Sequence, residues 1–123
     1  IFDKVRTDMR IHNEEIFGPV LSIVRVESFD EAIEAANHSE FGLTSSIYTR
    51  DLTRTFRYIH EIETGITHVN SPTLGGEAQM PFGGMKNTGV GPREQGTEVF
   101  DFYTETKAVY IDFTGAKREG KLY

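Results

Sequence analysis

Two stretches of this chain carry residues whose types and spacing suit contact with a small molecule. The first is Glu14-Glu15-Ile16-Phe17-Gly18-Pro19-Val20 and the second is Pro81-Phe82-Gly83-Gly84-Met85-Lys86. Glu15 is an acceptor-only carboxylate, and one carboxylate can accept from both hydroxyls of a vicinal diol such as a ribose. The plainer reading of Glu15 is a solvated side chain beside Glu14. Phe17 and Phe82 offer aromatic faces, although a phenyl ring at position 82 also suits a core anchor for a glycine-rich loop. Gly18-Pro19 fixes the turn into the following apolar run. Gly83 and Gly84 let the backbone pass close to a neighbour or adopt positive φ. Ser71 and Thr73 carry hydroxyls that either meet a polar ligand or bond their own loop. Asn70, just before them, reads as a structural residue that bonds backbone.

Other chemistries fall away. The chain has no cysteine, so disulfides, thiolate metal sites and an internal thiolate nucleophile are excluded. His12, His38, His60 and His68 lack ligand spacing, so no metal site is expected. No Ser-His-Asp arrangement follows from residue order alone. Gly84 and Gly89 have the spacing of a phosphate loop, but Val90-Gly91 stands where Lys-Ser/Thr is needed. Gly89-Val90-Gly91 begins a dinucleotide fingerprint, yet Glu94 occupies the position of its third glycine.

The elements that must position these residues follow from pattern. Residues 20–26 form a dense β-branched run, expected to be a buried strand. Ser28 with Glu31 makes a capping box for an amphipathic helix over 29–38, where Phe29, Ala32, Ile33 and Ala36 recur at helical spacing. Gly42 ends that segment, and residues 43–49 are strand-like. Asp51 caps a second helix bearing Leu52, Phe56 and Ile59, with Gly65 as its stop. Residues 66–70 read as a third strand. Strands separated by such helices imply an α/β fold: a mainly parallel βαβαβ sheet flanked by helices. Residues 71–91 hold six glycines and two prolines, a long loop of the kind that carries function. Pro92 suits the first position of a third helix, with Glu94 and Glu98 at its electropositive end. Residues 107–113 alternate as a half-exposed strand free to pair outside the sheet, and the polar tail from Thr114 is expected to be mobile.

Length and charge bound the rest. The 123 residues allow one domain. A net charge of −6 argues against nucleic acid and anionic membrane surfaces. No apolar run approaches the ~20 residues of a membrane span, and no leader pattern is present. Absence of cysteine fits a cytoplasmic location. Because the first residue is Ile rather than Met, the chain is expected to begin inside a larger sequence.

In this order and spacing, EEIFGPV and PFGGMK resemble the C-terminal part of the NAD(P)-dependent aldehyde dehydrogenases. Phe29-Asp30-Glu31-Ala32, Phe41-Gly42-Leu43-Thr44, His68-Val69-Asn70, Gly89-Val90-Gly91, Arg93-Glu94 and Tyr103-Thr104-Glu105-Thr106-Lys107 extend the resemblance over nearly the whole chain. Glu77-Ala78-Gln79 is similar to semialdehyde and other small-aldehyde members. Asn87-Thr88 departs from the more usual Ser-Gly, and Gly91-Pro92 precedes the arginine where Gly-Arg is common.

The resemblance implies that a cysteine thiolate adds to an aldehyde, hydride passes to NAD or NADP, and a glutamate base assists hydrolysis. Nucleophile and base are expected in sequence ahead of this segment, so the chain alone should be inactive. It further implies that Glu15 binds the nicotinamide ribose, with Phe17 against the nicotinamide end. Phe82 would wall the substrate tunnel, with Ser71 and Thr73 at its entrance. Residues 1–106 would belong to the catalytic domain and 107–123 to an oligomerisation strand and tail. The implied partners are the missing N-terminal portion, an aldehyde substrate and further copies in a homo-oligomer, with neither nucleic acid nor membrane. Two alternatives are a non-catalytic interaction module and a phosphate-activated acyl reductase of the same superfamily, the latter disfavoured by EEIFGPV.

Overall fold

A computed structural model describes residues 1–113 and 115. Its elements run α1 (Arg10–Asn13), α2 (Phe29–Asn37), β1 (Phe41–Gly42), β2 (Thr44–Ile47), α3 (Leu52–Glu61), β3 (Ile66–Val69), β4 (Met85–Lys86) and α4 (Glu98–Tyr103). The two longer helices start where their caps require. Ser28 Oγ accepts from the Glu31 N–H at 3.1 Å, and the Glu31 carboxylate accepts from the Glu27 N–H at 2.7 Å. Asp51 Oδ1 accepts from the Arg54 N–H at 3.1 Å, satisfying a donor that the first turn of α3 leaves free.

β2 and β3 pair in parallel, Thr44 against Ile66 through Ile47 against Val69, with α3 as their crossover. β1 and β4 pair antiparallel, Phe41 against Lys86 and Gly42 against Met85. Ile33 of α2, Tyr58 of α3 and Ile62 form the core, with Phe29 and Ile47 packed against it. Arg57 ties the two helices at their surface, donating to Asp30 at 2.7 Å and Glu61 at 2.9 Å while lying over the Phe29 ring. Asn37 closes the junction, donating to Glu61 O at 2.7 Å and accepting from the Glu63 N–H at 2.9 Å.

Several expectations need correction. α3 stops at Glu61, four residues before Gly65, because buried Ile62 turns to extended backbone while its N–H closes the last turn on Tyr58 O. The third helix does not begin at Pro92. Glu94 instead exchanges backbone hydrogen bonds with Phe82, at 2.6 and 2.8 Å, so helical geometry waits until Glu98. Residues 20–26 are extended but not a buried strand. Phe2 brackets Ser22 in one parallel bridge, with Val5 N–H to Ile23 O beyond it, and Lys4 at φ 59° interrupts the ladder. Leu21 stays 55% exposed and Ile23 38%, since one short neighbour cannot cover both faces. The sheet is two separate pairs of strands, one of them antiparallel, rather than one mainly parallel sheet. Residues 107–113, expected to pair outside this chain, pair with no strand among the described residues, and Val109, Ile111 and Phe113 are exposed. Apart from Gly115, the expected mobile tail lies outside the described residues.

The N-terminal stretch is laced by exposed ion pairs. Arg25 reaches Asp3 at 2.8 Å, Arg6 reaches Asp8 at 3.0 Å, and Arg10 reaches Glu14 at 2.7 Å. The guanidinium hydrogen bonds hold all three carboxyls below their ordinary values of 3.8 for Asp and 4.5 for Glu. A depressed folded-state value means stability that is complete above the unfolded value and lost as pH falls through the folded one. The urea midpoint is therefore expected to be flat above about pH 5 and to decline below about pH 4. A midpoint that rose on acidification would contradict these pairings, and added salt should shrink the effect because the pairs are exposed.

Candidate functional site

The first candidate loop leaves α1. Arg10 forks onto Glu14 with two bonds of 2.7 Å, and the Glu14 N–H closes on Arg10 O. Glu14 is thereby occupied, while the exposed Glu15 makes no hydrogen bond or ion pair among the described residues. Phe17 sits at φ 52° and is 92% exposed. A bulky residue seldom adopts that backbone, and such strain gathers at ligand-contact loops. Gly18 and Pro19 carry the chain into residues 20–26, with Val20 N–H on Gly18 O at 2.7 Å. Glu15, Phe17, Gly18 and Leu21 line an open depression of about 400 Å³.

The second loop is locked onto the fold by backbone contacts. Lys86, at φ 55°, sends its Nζ to Asn37 O at 2.6 Å and Ser39 O at 2.9 Å, beside Glu63 at 2.6 Å. It thus supplies a cation to the carbonyls at the end of α2. Arg93 Nη1 donates to Gly84 O at 2.6 Å, and the Gly42 N–H donates to Thr88 Oγ1 at 2.8 Å. Gly65 lets Gly83 approach so closely that an added Cβ would stand 1.8 Å from the Gly83 carbonyl oxygen. At the far end of β3, Asn70 exchanges two hydrogen bonds with the Thr49 backbone, at 2.8 and 2.9 Å, from a left-handed conformation. These anchors frame a depression of about 530 Å³ bordered by His68, Ser71, Leu74, Met80, Phe82 and Arg93.

The structure brings some candidates together and keeps others apart. Ser71 and Phe82 share the larger depression. Glu15 and Phe17 share the smaller one, so the two rings border different depressions. Thr73 is exposed and lines neither. Gly83 and Gly84 contribute the backbone that Gly65 and Arg93 hold. His68, Arg93 and Lys86 escaped the sequence reading as site-forming residues. His68 lacks ligand spacing, Lys86 grips positions 47 and 49 residues away, and Arg93 reaches back across the glycine-rich loop to Gly84. Among the described residues, no group of acidic, His or Cys side chains could hold a metal, and no helix is long and apolar enough to cross a membrane.

A sequence model of the aldehyde dehydrogenase family matches residues 1–109. An alpha-ketoglutaric semialdehyde dehydrogenase of Bacillus subtilis strain 168 is 44% identical over 111 residues, 90% of this chain and 23% of that protein. The crystal structure of a salicylaldehyde dehydrogenase from Pseudomonas putida G7, complexed with salicylaldehyde, superposes with a TM-score of 0.85 at 42% identity, over 96% of this chain and 24% of that one. The crystal structure of an NAD-dependent aldehyde dehydrogenase from Sinorhizobium meliloti superposes with a TM-score of 0.82 at 40% identity, over 89% of this chain and 21% of that one. The chain spans about a quarter of the length of the curated relatives it matches. With every described helix and strand inside the matched residues 1–109, the chain belongs to the aldehyde dehydrogenase family.

Proposed function

We propose that this chain is the C-terminal portion of an NAD(P)+-dependent aldehyde dehydrogenase that oxidises an aldehyde to a carboxylic acid. The observation that carries the reading is the unbroken family match over residues 1–109 in a chain without cysteine. Residues 1–106 belong to the catalytic domain, and 107–123 serve as an oligomerisation strand and tail in a cytoplasmic homo-oligomer. The nucleophilic thiolate and the hydrolytic base come from the portion ahead of residue 1.

The residues present suit a bound NAD or NADP. Glu15 has no partner among the described residues, so both its oxygens are available to the two hydroxyls of a ribose, and Phe17 lies exposed in the same depression. When bound, the dinucleotide supplies a hydride acceptor. Glu15 and Phe17 orient it, Phe82 shapes an apolar wall that excludes water, and Ser71 borders the substrate entrance, with Thr73 exposed on the loop just outside the depression. Gly18, Pro19, Asn70, Gly83 and Gly84 hold the two loops in place. Exposed Val109, Ile111 and Phe113 support the pairing role of residues 107–113.

The chain by itself is expected to oxidise no aldehyde with NAD+ or NADP+. Joined to the N-terminal three-quarters of the Bacillus subtilis relative, it should give a chimera with enzyme-like turnover. Turnover by the 123-residue chain alone, or a folded chimera that reduces neither dinucleotide, would overturn the proposal.

A further inference from the structure

His68 stands on β3 and borders the larger depression, where its Nδ1 lies 3.5 Å from Ser71 Oγ. Its other ring nitrogen, Nε2, is buried with no hydrogen-bond partner among the described residues. A neutral imidazole carries one N–H, and the surroundings decide which nitrogen holds it. A buried donor without an acceptor is rarer than a buried acceptor without a donor. The proton therefore belongs on Nδ1, facing Ser71, and the lone pair belongs on Nε2. Ser71 Oγ then receives the imidazole N–H and has its own O–H left to give. Ser46 Oγ donates to Ser71 O at 2.6 Å, which fixes the backbone of residue 71. The rim carries charges of both signs, with Arg93 the group suited to an acceptor. Arg93 also borders the depression and makes no ion pair among the described residues, and Glu77 is already engaged by Gln79 at 2.6 Å.

We propose that His68 is a positioning residue that turns Ser71 into a hydrogen-bond donor, selecting aldehydes that carry a second, acceptor oxygen such as a carboxylate or carbonyl. This rests on the proposed aldehyde oxidation and names the substrate class of that same site. At 3.5 Å the His68–Ser71 contact is long, and it shortens when an acceptor polarises the Ser71 hydroxyl from its other side.

Two measurements test it. Nitrogen-15 NMR of the 123-residue chain at about pH 8, where an ordinary histidine is neutral, should show the His68 proton on Nδ1. A proton on Nε2, or an even mixture, would overturn the arrangement. In the aldehyde-oxidising form, kcat/KM should favour an aldehyde with a distal carboxylate over its unsubstituted analogue. Ser71→Ala and His68→Phe should each lower that ratio about three- to tenfold, the worth of one hydrogen bond. His68→Asn, which returns an N–H near the Nδ1 position, should recover much of it. A ratio unmoved by Ser71→Ala would overturn the selectivity. If no aldehyde turned over at all, the proposed function would fail and the selectivity with it, whereas the site of the ring proton is read without turnover.

Discussion

Gly65→Ala is expected to lower the stability of this chain by about 3 kcal/mol, the upper end of what overpacking costs. The added Cβ would lie 1.8 Å from Gly83 O and 2.8 Å from Gly84 Cα. Both are backbone atoms, so no side chain can swing aside. β3 cannot retreat either, because the Gly65 N–H is bonded to Gly42 O and the Ile66 N–H to Leu43 O, each at 3.0 Å. Gly42 is pinned in turn, since a Cβ there would meet Glu63 O at 2.3 Å. Only Val5, Ile33, Tyr58 and Ile62 are buried hydrophobics among the described residues, leaving little reserve against such a loss. Gly18→Ala is the control: its Cβ would meet nothing within 4 Å, and the change should stay within about 0.5 kcal/mol. Urea unfolding followed by circular dichroism reads both. Equal midpoints for the two variants would mean that the glycine-rich loop does not rest on β3 as described.

Glu15→Ala should weaken NAD(P)+ binding by about 10- to 100-fold in the chimera that completes the enzyme, the loss of two hydrogen bonds to a charged acceptor at a partly wet site. Glu14→Ala should have far less effect, because Glu14 spends its carboxylate on Arg10. The neighbouring variant therefore separates a specific diol contact from a general change in local charge. Cofactor titration decides between them: equal weakening by both substitutions would remove the special role of Glu15. Phe17 contributes differently. Its ring is 92% exposed on a left-handed backbone, so its value to the protein is expected to lie in a ligand contact rather than in stability.

Local features of the fold were legible in the sequence because they depend on neighbours a few residues away. Ser28 and Asp51 cap their helices, and the helical spacing of Phe29 and Ile33 brings both to the core. The β2–α3–β3 unit follows from the same reasoning. The run 20–26 misled because hydrophobicity reports a capacity for burial, not the presence of a cover. Pro92 misled because a residue suited to a helix start does not outweigh Glu94 pairing with Phe82 and Arg93 reaching Gly84. Lys86 drew no structural reading, yet it joins the end of α2 to the turn before β1 through atoms more than forty positions away in sequence.

Residue order and type alone determined the family, the caps and the two candidate loops, since each is written in contiguous motifs with their own local chemistry. Tertiary structure decided which candidates share a depression. It grouped Ser71 with Phe82 and His68, and Glu15 with Phe17, and it left Thr73 outside both. The reason is geometric: Phe82 comes beside His68 and Ser71 because the backbone of Gly83 packs directly on Gly65, just ahead of β3. Such contacts involve no side chain whose character could announce them.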